Sequence, residues 1–495
     1  MSVDEAIEAK NKGNEAFKAN DWPKAIEYYT KAIELNDKEP SFYTNRAQAS
    51  GANIKLEAYG YTIADATKAI ELDPSFVKAY YRRAVANTAV LRHADAIHDW
   101  KIVVKKCPSD KVAKAQFEAC QKTVKRDAFL KAIEVADAPS AAVGLDVDGM
   151  VVEKEYDGMK LEKEMTQEFI DDMIQRFKDG KKLHRKYVFQ IILAVKDIVY
   201  KEPTMVEVQI KKDHELTVCG DTHGQFFDLL EIFRLNGFPT ATHSYLFNGD
   251  FVDRGSWSTE IALLLYSYKW LFPSAFFLNR GNHETDDMNR MYGFEGECKA
   301  KYNERVFKLF SESFSALPLA TLIGDKFLTL HGGLFSDDAI TLDDIRKLNR
   351  HNQRQPGQAG LMMEMLWTDP QTQPGRGPSK RGVGLQFGPD VTKRFCEKNG
   401  LEAVIRSHEV RMEGYEVEHD GRCITGTICT STRARTFADT REVFSAPKYC
   451  DSTENKGAYI NIGPELKLEF HKFDAVPHPP IKPMAYANNG LMGMM

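Results

Sequence analysis

The sequence lacks three features that mark specialised classes of protein. Its eight cysteines are scattered without a C-x-x-C pair, a pattern that predicts reduced thiols and argues against a disulfide framework. It contains no apolar stretch of the roughly 18 residues that a membrane-spanning helix needs. It has no excess of basic residues, because the net charge is −5 and the isoelectric point is near 6.3, which argues against nucleic acid as the main partner.

The composition is typical of a globular protein with more than one domain. Hydrophobic residues make up 43% of the chain and charged residues 28%, as in most soluble proteins. The length of 495 residues exceeds one ordinary core and predicts two or three domains. The first residues, 1–6, are acidic and helix-like and do not match a secretory signal. We therefore expect a cytoplasmic protein, and the sequence leaves a nuclear pool open.

An internal repeat defines the first domain. Residues 31–37 (KAIELND) recur as 68–74 (KAIELDP), and a weaker third copy begins at Ala96. Helix-turn-helix units with a period of about 34 residues are typical of tetratricopeptide repeats. We expect an all-α repeat domain over residues 1–126, with three repeats and a capping helix at 109–126.

The second repeat carries three extra residues, 50–52, whose removal restores the usual spacing. Two interpretations stay open for them. They are a local insertion at the turn between the two helices of that repeat, or they are a fault in the gene model.

The rest of the chain predicts a linker followed by an α/β domain. Residues 127–165 mix acids with lysines and predict a linker. Amphipathic helix then returns, strands and helices alternate from Leu216, and the pattern turns to β from about residue 412. We expect an α/β domain over 166–478, with a central β-sandwich flanked by helices, and a C-terminal tail over 479–495.

Five short polar motifs in this domain each follow an apolar run that predicts a buried strand. In open α/β sheets, ligands bind at the edge where such strands end. The motifs bring six candidate metal ligands to that edge, namely Asp221, His223, Asp250, Asn282, His331 and His408. We expect the first two to bind one cation, Asp250 to bridge two cations, and the last three to complete the second site.

This ligand set predicts phosphoryl chemistry. Two divalent ions about 3.5–4 Å apart lower the pKa of a water held between them and clamp the oxygens of an in-line displacement. Mixed nitrogen and oxygen ligands favour Mn²⁺, with Fe or Zn as alternatives, over Mg²⁺ or Ca²⁺. His283 is the candidate general acid and Asp253 its orienting group. Arg254 and Arg381 are candidates to bind the phosphate oxygens.

The motifs GDTHGQ, GDFVDRG, RGNHE, LHGGL, IRSHE and SAPKYC resemble those of the phosphoprotein phosphatase family of serine/threonine phosphatases, a branch of the metallophosphoesterases. The resemblance implies a metallophosphoesterase fold. It also implies hydrolysis of phosphoserine and phosphothreonine on proteins by a hydroxide that bridges two metal ions, without a phosphoenzyme. It implies that Tyr449 and Asn282 lie beside the phosphate.

The resemblance further implies regulation. In such enzymes that carry repeats, the repeat domain and the C-terminal segment cover the active site until a chaperone tail or a fatty acid displaces them. While the site is covered, an acidic residue from the loop of the second repeat contacts the phosphate-binding arginine, and Glu57 occupies the matching position.

The repeat region itself resembles tetratricopeptide domains that hold the acidic C-termini of chaperones of the heat-shock protein 90 type. Cations and amides on the inner helices of such domains capture carboxylates. The matching clamp residues are Lys10, Asn14, Asn45, Lys78 and Arg82.

Residues 426–442 depart from the family pattern. They are rich in threonine and arginine and separate two segments that would otherwise form one continuous β segment. They are an exposed loop, or they are an artefact that resembles a retained intron. Tyr449 follows them, and an alternative to the phosphatase is therefore a chaperone-binding scaffold whose catalysis the insert impairs. A second alternative is a metallophosphoesterase that acts on nucleotides, against which the SAPKYC segment and Arg381 argue.

Overall fold

The computed structural model describes residues 3–52, 59–132, 139–424, 444–451 and 453–480. The chain divides into two compact units. Met1–Ala138 form the first unit together with Pro378–Gly384, and Pro139–Gly377 form the second together with Leu385–Ala487.

The described part of the first unit is helical, as the repeat pattern predicts. Successive helices pack on one another, and the alanines between them are fully buried, so the helices approach closely. Tyr29 and Trp100 fill the wider gaps. The helices are α1 (Val3–Lys18), α2 (Trp22–Leu35), α3 (Pro40–Ala52), α4 (Tyr59–Leu72), α5 (Val77–Ala89), α6 (His93–Lys106) and α7 (Lys111–Ala132).

The repeat extends to the level of hydrogen bonds. Arg46 donates from Nε and from one Nη to the two carboxylate oxygens of Asp65, both at 2.8 Å, and from its other Nη to Thr30 Oγ1 at 3.1 Å. The next repeat forms the same contacts among Thr67, Arg83 and Asp99. Each arginine therefore joins three helices with a bidentate ion pair and a hydroxyl contact.

The expectation that residues 50–52 lie in a turn is wrong. Helix α3 continues through Ala52, and Ser50 is buried. The segment is composed of small residues, which extend the helix without steric conflict. Residues 53–58, which include Glu57, lie outside the described part of the chain.

The second unit contains helices around strands. Its helices are α8 (Gln167–Lys178), α9 (Arg185–Lys201), α10 (Phe226–Asn236), α11 (Ser258–Leu271), α12 (Asp286–Tyr292), α13 (Phe294–Lys301), α14 (Glu304–Ser315), α15 (Leu342–Lys347), α16 (Leu361–Trp367) and α17 (Pro389–Asn399). Its strands are β1 (Met205–Val208), β2 (Glu215–Cys219), β3 (His243–Asn248), β4 (Phe276–Asn279), β5 (Ala320–Ile323), β6 (Phe327–Leu330), β7 (Asp369–Pro370), β8 (Arg376–Pro378), β9 (Leu385–Phe387), β10 (Ala403–Ile405), β11 (Cys423–Ile424), β12 (Gly457–Ile462) and β13 (Leu468–Phe473).

Two five-stranded sheets form the expected sandwich. One has the order β1-β5-β6-β10-β11 and the other β13-β12-β2-β3-β4, and a small third sheet has the order β7-β9-β8. Apolar side chains of both large sheets, among them Val218, Leu246, Phe327 and Ile405, share one buried cluster. A second, larger cluster contains apolar side chains of the sheet that includes β3 and of helices α8, α9, α10, α11, α13 and α14.

Residues 139–165, for which the sequence predicts a linker, pack on the second unit. Glu312 accepts hydrogen bonds from Ser140 Oγ and from the backbone N–H of Ala141, both at 2.6 Å. The apolar side chains of the segment join the larger core, in which Leu161 and Met165 are buried.

The sequence GYEV at residues 414–417 predicts a strand, and this prediction is wrong. Gly414 has a φ of 80°, and its carbonyl accepts from the N–H of Phe444 at 2.8 Å. Among the described residues near this segment, Glu418 and Cys423 form an isolated antiparallel β-bridge.

No helix in the described part of the chain is long and apolar enough to cross a membrane.

Candidate metal centre and active site

The strand order brings the candidate ligands to one edge. Strands β2, β3 and β4 are parallel neighbours in one sheet, and β6 and β10 are parallel neighbours in the other. Each of these five strands is followed, at its carboxyl end, by a loop that carries candidate ligands. Each of the six side chains is buried, including Asp221, His223 and Asp250.

The first cluster is built around His331. Its Nδ1 lies 2.9 Å from the carbonyl oxygen of Asn248, which can only accept, so Nδ1 carries the proton and Nε2 presents a lone pair. Nε2 faces Asn282 Oδ1 at 2.8 Å, Asp250 Oδ2 at 3.2 Å and His408 Nδ1 at 3.2 Å.

This donor set fits a cation. Oxygen and nitrogen lone pairs that face one another in a buried space are brought together favourably by a shared positive ion. Turning the Asn282 amide by 180° would instead let its nitrogen donate to His331 and His408. The same side chain therefore satisfies these acceptors through its nitrogen, or binds an ion through its oxygen.

The second cluster shares Asp250 with the first. His223 Nε2 lies 3.6 Å from Asp250 Oδ2 and 3.8 Å from Asp221 Oδ2, while its Nδ1 lies 3.0 Å from the carbonyl oxygen of Val252. The ligand atoms of His223, Asp250 and His283 lie within 4.8 Å of one another, as do those of Asp250, His331 and His408. The arrangement is compatible with a dinuclear metal site in which Asp250 bridges.

Burial disfavours the charged forms of these groups. It raises the pKa of Asp221 to about 8 and lowers the pKa of His331, so both side chains favour their neutral forms in the protein alone. A bound divalent cation would reverse this preference for Asp221, because it stabilises the carboxylate.

His283 and Asp253 form the expected pair. The His283 Nδ1 lies 2.8 Å from Asp253 Oδ2, and both side chains are buried. The Asp253 carboxylate also accepts from Asn289 Nδ2 at 3.0 Å and from the N–H of Phe294 at 2.9 Å. Burial raises the pKa of Asp253, and these donors oppose that rise. The carboxylate thus fixes the tautomer and the orientation of the imidazole.

The predicted phosphate ligands are placed as follows. The Arg254 guanidinium lies 4.2 Å from the ring centroid of Tyr292. The ring of Tyr449 lies 5.2 Å from the ring of His223. Arg381 is buried in the segment Pro378–Gly384, which groups with the first unit. The role of each in binding phosphate stays a prediction.

Glu284 is a supporting residue that the sequence reasoning missed. Its carboxylate accepts from the backbone N–H groups of Asp250 at 2.7 Å, Phe251 at 3.1 Å and Gly281 at 2.8 Å. It therefore holds the loop after β3 against the loop after β4. Its position next to His283 in the RGNHE motif was the available signal.

Two buried asparagines, also missed, tie the sheets together beneath the centre. Asn248 Nδ2 donates to the carbonyl of Leu330 at 2.8 Å and to Ser407 Oγ at 3.0 Å. Asn279 Nδ2 donates to Asn248 Oδ1 at 2.9 Å and to the carbonyl of Thr329 at 3.2 Å. These contacts fix the register between the strand ends that carry the ligands.

The loops of the centre have unusual backbone angles. Five non-glycine residues have φ in the left-handed region, which costs about 1–3 kcal/mol per residue. They are His223 (35°), Asp250 (51°), Asp253 (69°), Arg254 (68°) and His408 (82°). Gly249 has a φ of 86°, and a Cβ there would lie 2.5 Å from the Gly281 backbone.

The first unit brings clamp residues together. Asn14 Oδ1 accepts from Tyr29 Oη at 2.8 Å and from Asn45 Nδ2 at 3.4 Å. Asn45, Lys78 and Arg82 line one groove of about 390 Å³. Lys10 lies one turn before Asn14 on α1, on the same helix face. Glu57 and residues 426–442 lie outside the described part of the chain.

Comparisons with known proteins agree with this architecture. A calcineurin-like phosphoesterase model matches residues 214–412, a tetratricopeptide repeat model matches 6–39, and a model of the PPP5 TPR repeat region matches 117–207. Serine/threonine-protein phosphatase T of Aspergillus oryzae is 71% identical over 493 residues, which cover 100% of this chain and 99% of that protein.

More distant relatives extend the match. Human serine/threonine-protein phosphatase 5 is 51% identical over 494 residues, which cover 99% of this chain and 95% of that protein. A solved Saccharomyces cerevisiae protein serine/threonine phosphatase, described as similar to human phosphatase PP5, aligns with a TM-score of 0.59 and 48% identity over 65% of this chain and 100% of its own. The chain belongs to the family of serine/threonine-protein phosphatases 5 and T, which join tetratricopeptide repeats to a calcineurin-like phosphoesterase domain.

Proposed function

We propose that this serine/threonine-protein phosphatase hydrolyses phosphoserine and phosphothreonine at a centre of two divalent cations. The observation that carries the proposal is the position of Asp250 in both buried ligand clusters. The residues that would hold the cations are Asp221, His223, Asp250, Asn282, His331 and His408. Bound there, the cations would activate a water and polarise the phosphoryl oxygens. The mixed ligands favour Mn²⁺, with Fe or Zn as alternatives.

The side chains around the cations supply the remaining steps. His283, whose Nδ1 contacts Asp253, would give a proton to the leaving serine or threonine oxygen. Arg254, Arg381, Asn282 and Tyr449 are the proposed ligands of the phosphate group. The planar arginine side chains suit paired hydrogen bonds to phosphate oxygens.

His283→Ala tests this assignment. We expect kcat on a phosphopeptide to fall by about 10²–10⁴-fold, the range for loss of a general acid, while the bound metal content stays unchanged. His98→Ala, on the exposed face of α6, serves as the control. Since His283 also lies within one ligand cluster, loss of metal from the variant would make it a ligand and refute its role as the acid.

The repeat unit is proposed to recruit the enzyme to a chaperone C-terminus of the heat-shock protein 90 type and to inhibit it. The groove with Asn45, Lys78 and Arg82 supports carboxylate binding. In this proposal Glu57 and the tail 479–495 take part in inhibition, a fatty acid relieves it, and the enzyme acts in the cytoplasm with a nuclear pool. Removing residues 1–138 should raise turnover with Mn²⁺, and unchanged or lost turnover would contradict inhibition by the repeats.

A further inference from the structure

A cavity beside the catalytic centre has no role in the mechanism above. Its volume is about 460 Å³, within the range of about 300–1,000 Å³ for ligand pockets. Gly224 and Arg254 line it, and they directly follow His223 and Asp253 in the sequence. Its lining also includes Phe227, Trp257 and residues 475–478. We name this cavity the flanking pocket.

Three rings that contact one another in sequence line the flanking pocket. The rings of Phe227 and Trp257 lie 5.2 Å apart at 81°, and those of Trp257 and His478 lie 5.1 Å apart at 67°. Phe227 and Trp257 are only half-buried, so part of their apolar surface remains accessible. Such edge-to-face ladders accept a further aromatic ring with favourable geometry.

The wall formed by residues 475–478 is held in place by specific contacts. The backbone N–H of Val476 donates to Asp228 Oδ1 at 2.9 Å, and Asp228 Oδ2 accepts from Gln225 Nε2 at 2.8 Å. His478 Nε2 lies 3.2 Å from Asp451 Oδ2. Because these contacts tie the wall to α10 and to the turn after Tyr449, the pocket is preformed.

We infer that the flanking pocket binds an aromatic side chain next to the phosphorylated residue of a protein substrate, with Trp257 as the specificity-determining residue. The inference rests on the proposed function, in which Arg254 binds the phosphate. One residue of extended chain spans about 3.5 Å, so a neighbour of the phosphoresidue reaches the cavity that Arg254 lines. The aromatic wall then discriminates by apolar contact.

The test uses the full chain loaded with Mn²⁺ and a set of phosphoserine peptides. The peptides differ only in carrying phenylalanine or alanine immediately before or immediately after the phosphoserine. We expect a preference of about tenfold in kcat/KM for phenylalanine at one of the two positions, expressed mainly in KM. Trp257→Ala should reduce this preference to about one, and Trp257→Tyr should retain most of it.

Two further variants keep the outcome clear. Phe227→Leu preserves an apolar wall but removes one ring, so it should reduce the preference partly. This variant tests the pocket independently if Trp257→Ala fails to fold. Phe238→Ala, an exposed aromatic outside the pocket lining, should keep the full preference. Equal kcat/KM for all peptides with the natural enzyme, or an unchanged preference in Trp257→Ala, would overturn the inference. Failure of the natural enzyme to hydrolyse any of the peptides would instead refute the proposed function.

Discussion

Glu284 shows how one side chain positions several ligands. A glutamine at this position keeps one oxygen and turns an NH₂ group toward backbone donors, so at least one buried N–H loses its acceptor. We expect Glu284→Gln to lower the free energy of unfolding by about 1–3 kcal/mol and to weaken metal binding. Chemical denaturation and metal titration measure both effects. Glu402→Gln, on the surface, is the control, and wild-type metal affinity in Glu284→Gln would contradict the supporting role.

Asp228 predicts a dependence of stability on pH. Burial raises its pKa to about 6, whereas an unfolded chain has a value near 3.9. Between about pH 4 and 6 the folded protein therefore holds a proton that the unfolded chain has released, and its free energy of unfolding falls as the pH rises through this window. In the natural protein this fall in the free energy of unfolding amounts to about 2 kcal/mol, and the Asp228→Asn variant should lack it. Denaturant titrations at several pH values test this, and parallel curves for the two proteins would contradict it.

The sequence pointed to the candidate ligands but not to the residues whose hydrogen bonds hold the ligand-bearing loops in place. Asp221, His223 and His331 stand directly after apolar runs, so a local pattern was enough to find them. Glu284 and Asn248 act through backbone groups of other loops, and Leu330 lies 82 residues from Asn248. No local pattern reports such a pairing, because it depends on the order of the strands in two sheets.

At the level of elements, residues 139–165 behave as part of the catalytic fold. A variant lacking residues 1–138 keeps Leu161 and Met165 in the core, whereas one lacking 1–165 loses both. Burying each such side chain stabilises by about 1.5–3 kcal/mol. We expect the variant that lacks residues 1–165 to unfold at a markedly lower denaturant concentration than the variant that lacks residues 1–138, as measured by circular dichroism. Equal midpoints for the two variants would show that the segment adds no stability.

The elements themselves were predictable where periodicity was strong. Strands β6 and β10 coincide with the largely apolar runs that precede the histidines of the LHGGL and IRSHE motifs. Residues 414–417 failed because Gly414 turns the chain in spite of neighbouring aromatic and aliphatic residues. Strands β1 and β5 were missed, since their short sequences carry no polar motif and their pairing joins distant segments.

At the scale of the whole molecule, recruitment by the first unit can be tested apart from catalysis. Lys78→Ala with Arg82→Ala should reduce the affinity for an acidic C-terminal peptide by at least about tenfold, because charge-assisted hydrogen bonds contribute about 1.5–3 kcal/mol each. Isothermal titration calorimetry measures the change. Lys68→Ala, on the exposed face of α4, is the matched control. Unaltered peptide binding in the double variant would refute the clamp.

Deleting residues 426–442 separates the phosphatase from the scaffold alternative. The described residues on both sides of this region are anchored. Ile424 pairs with Ile405, the N–H of Phe444 donates to the carbonyl of Gly414, and the N–H of Ala458 donates to the carbonyl of Phe444. We expect the full chain with Mn²⁺ to hydrolyse a phosphopeptide and the deletion to change the rate by less than about tenfold, since all six candidate ligands precede the segment. Turnover that appears only after deletion would favour the scaffold.

The left-handed backbone of His223, Asp250, Asp253, Arg254 and His408 has a consequence for protein engineering. These positions conflict with the conformational preference of their own side chains, so glycine there would relieve backbone strain while removing a functional group. A laboratory selection for heat resistance that scored folding alone would therefore do nothing to retain these functional side chains. Robust variants of this phosphatase have to be selected with turnover as a second criterion.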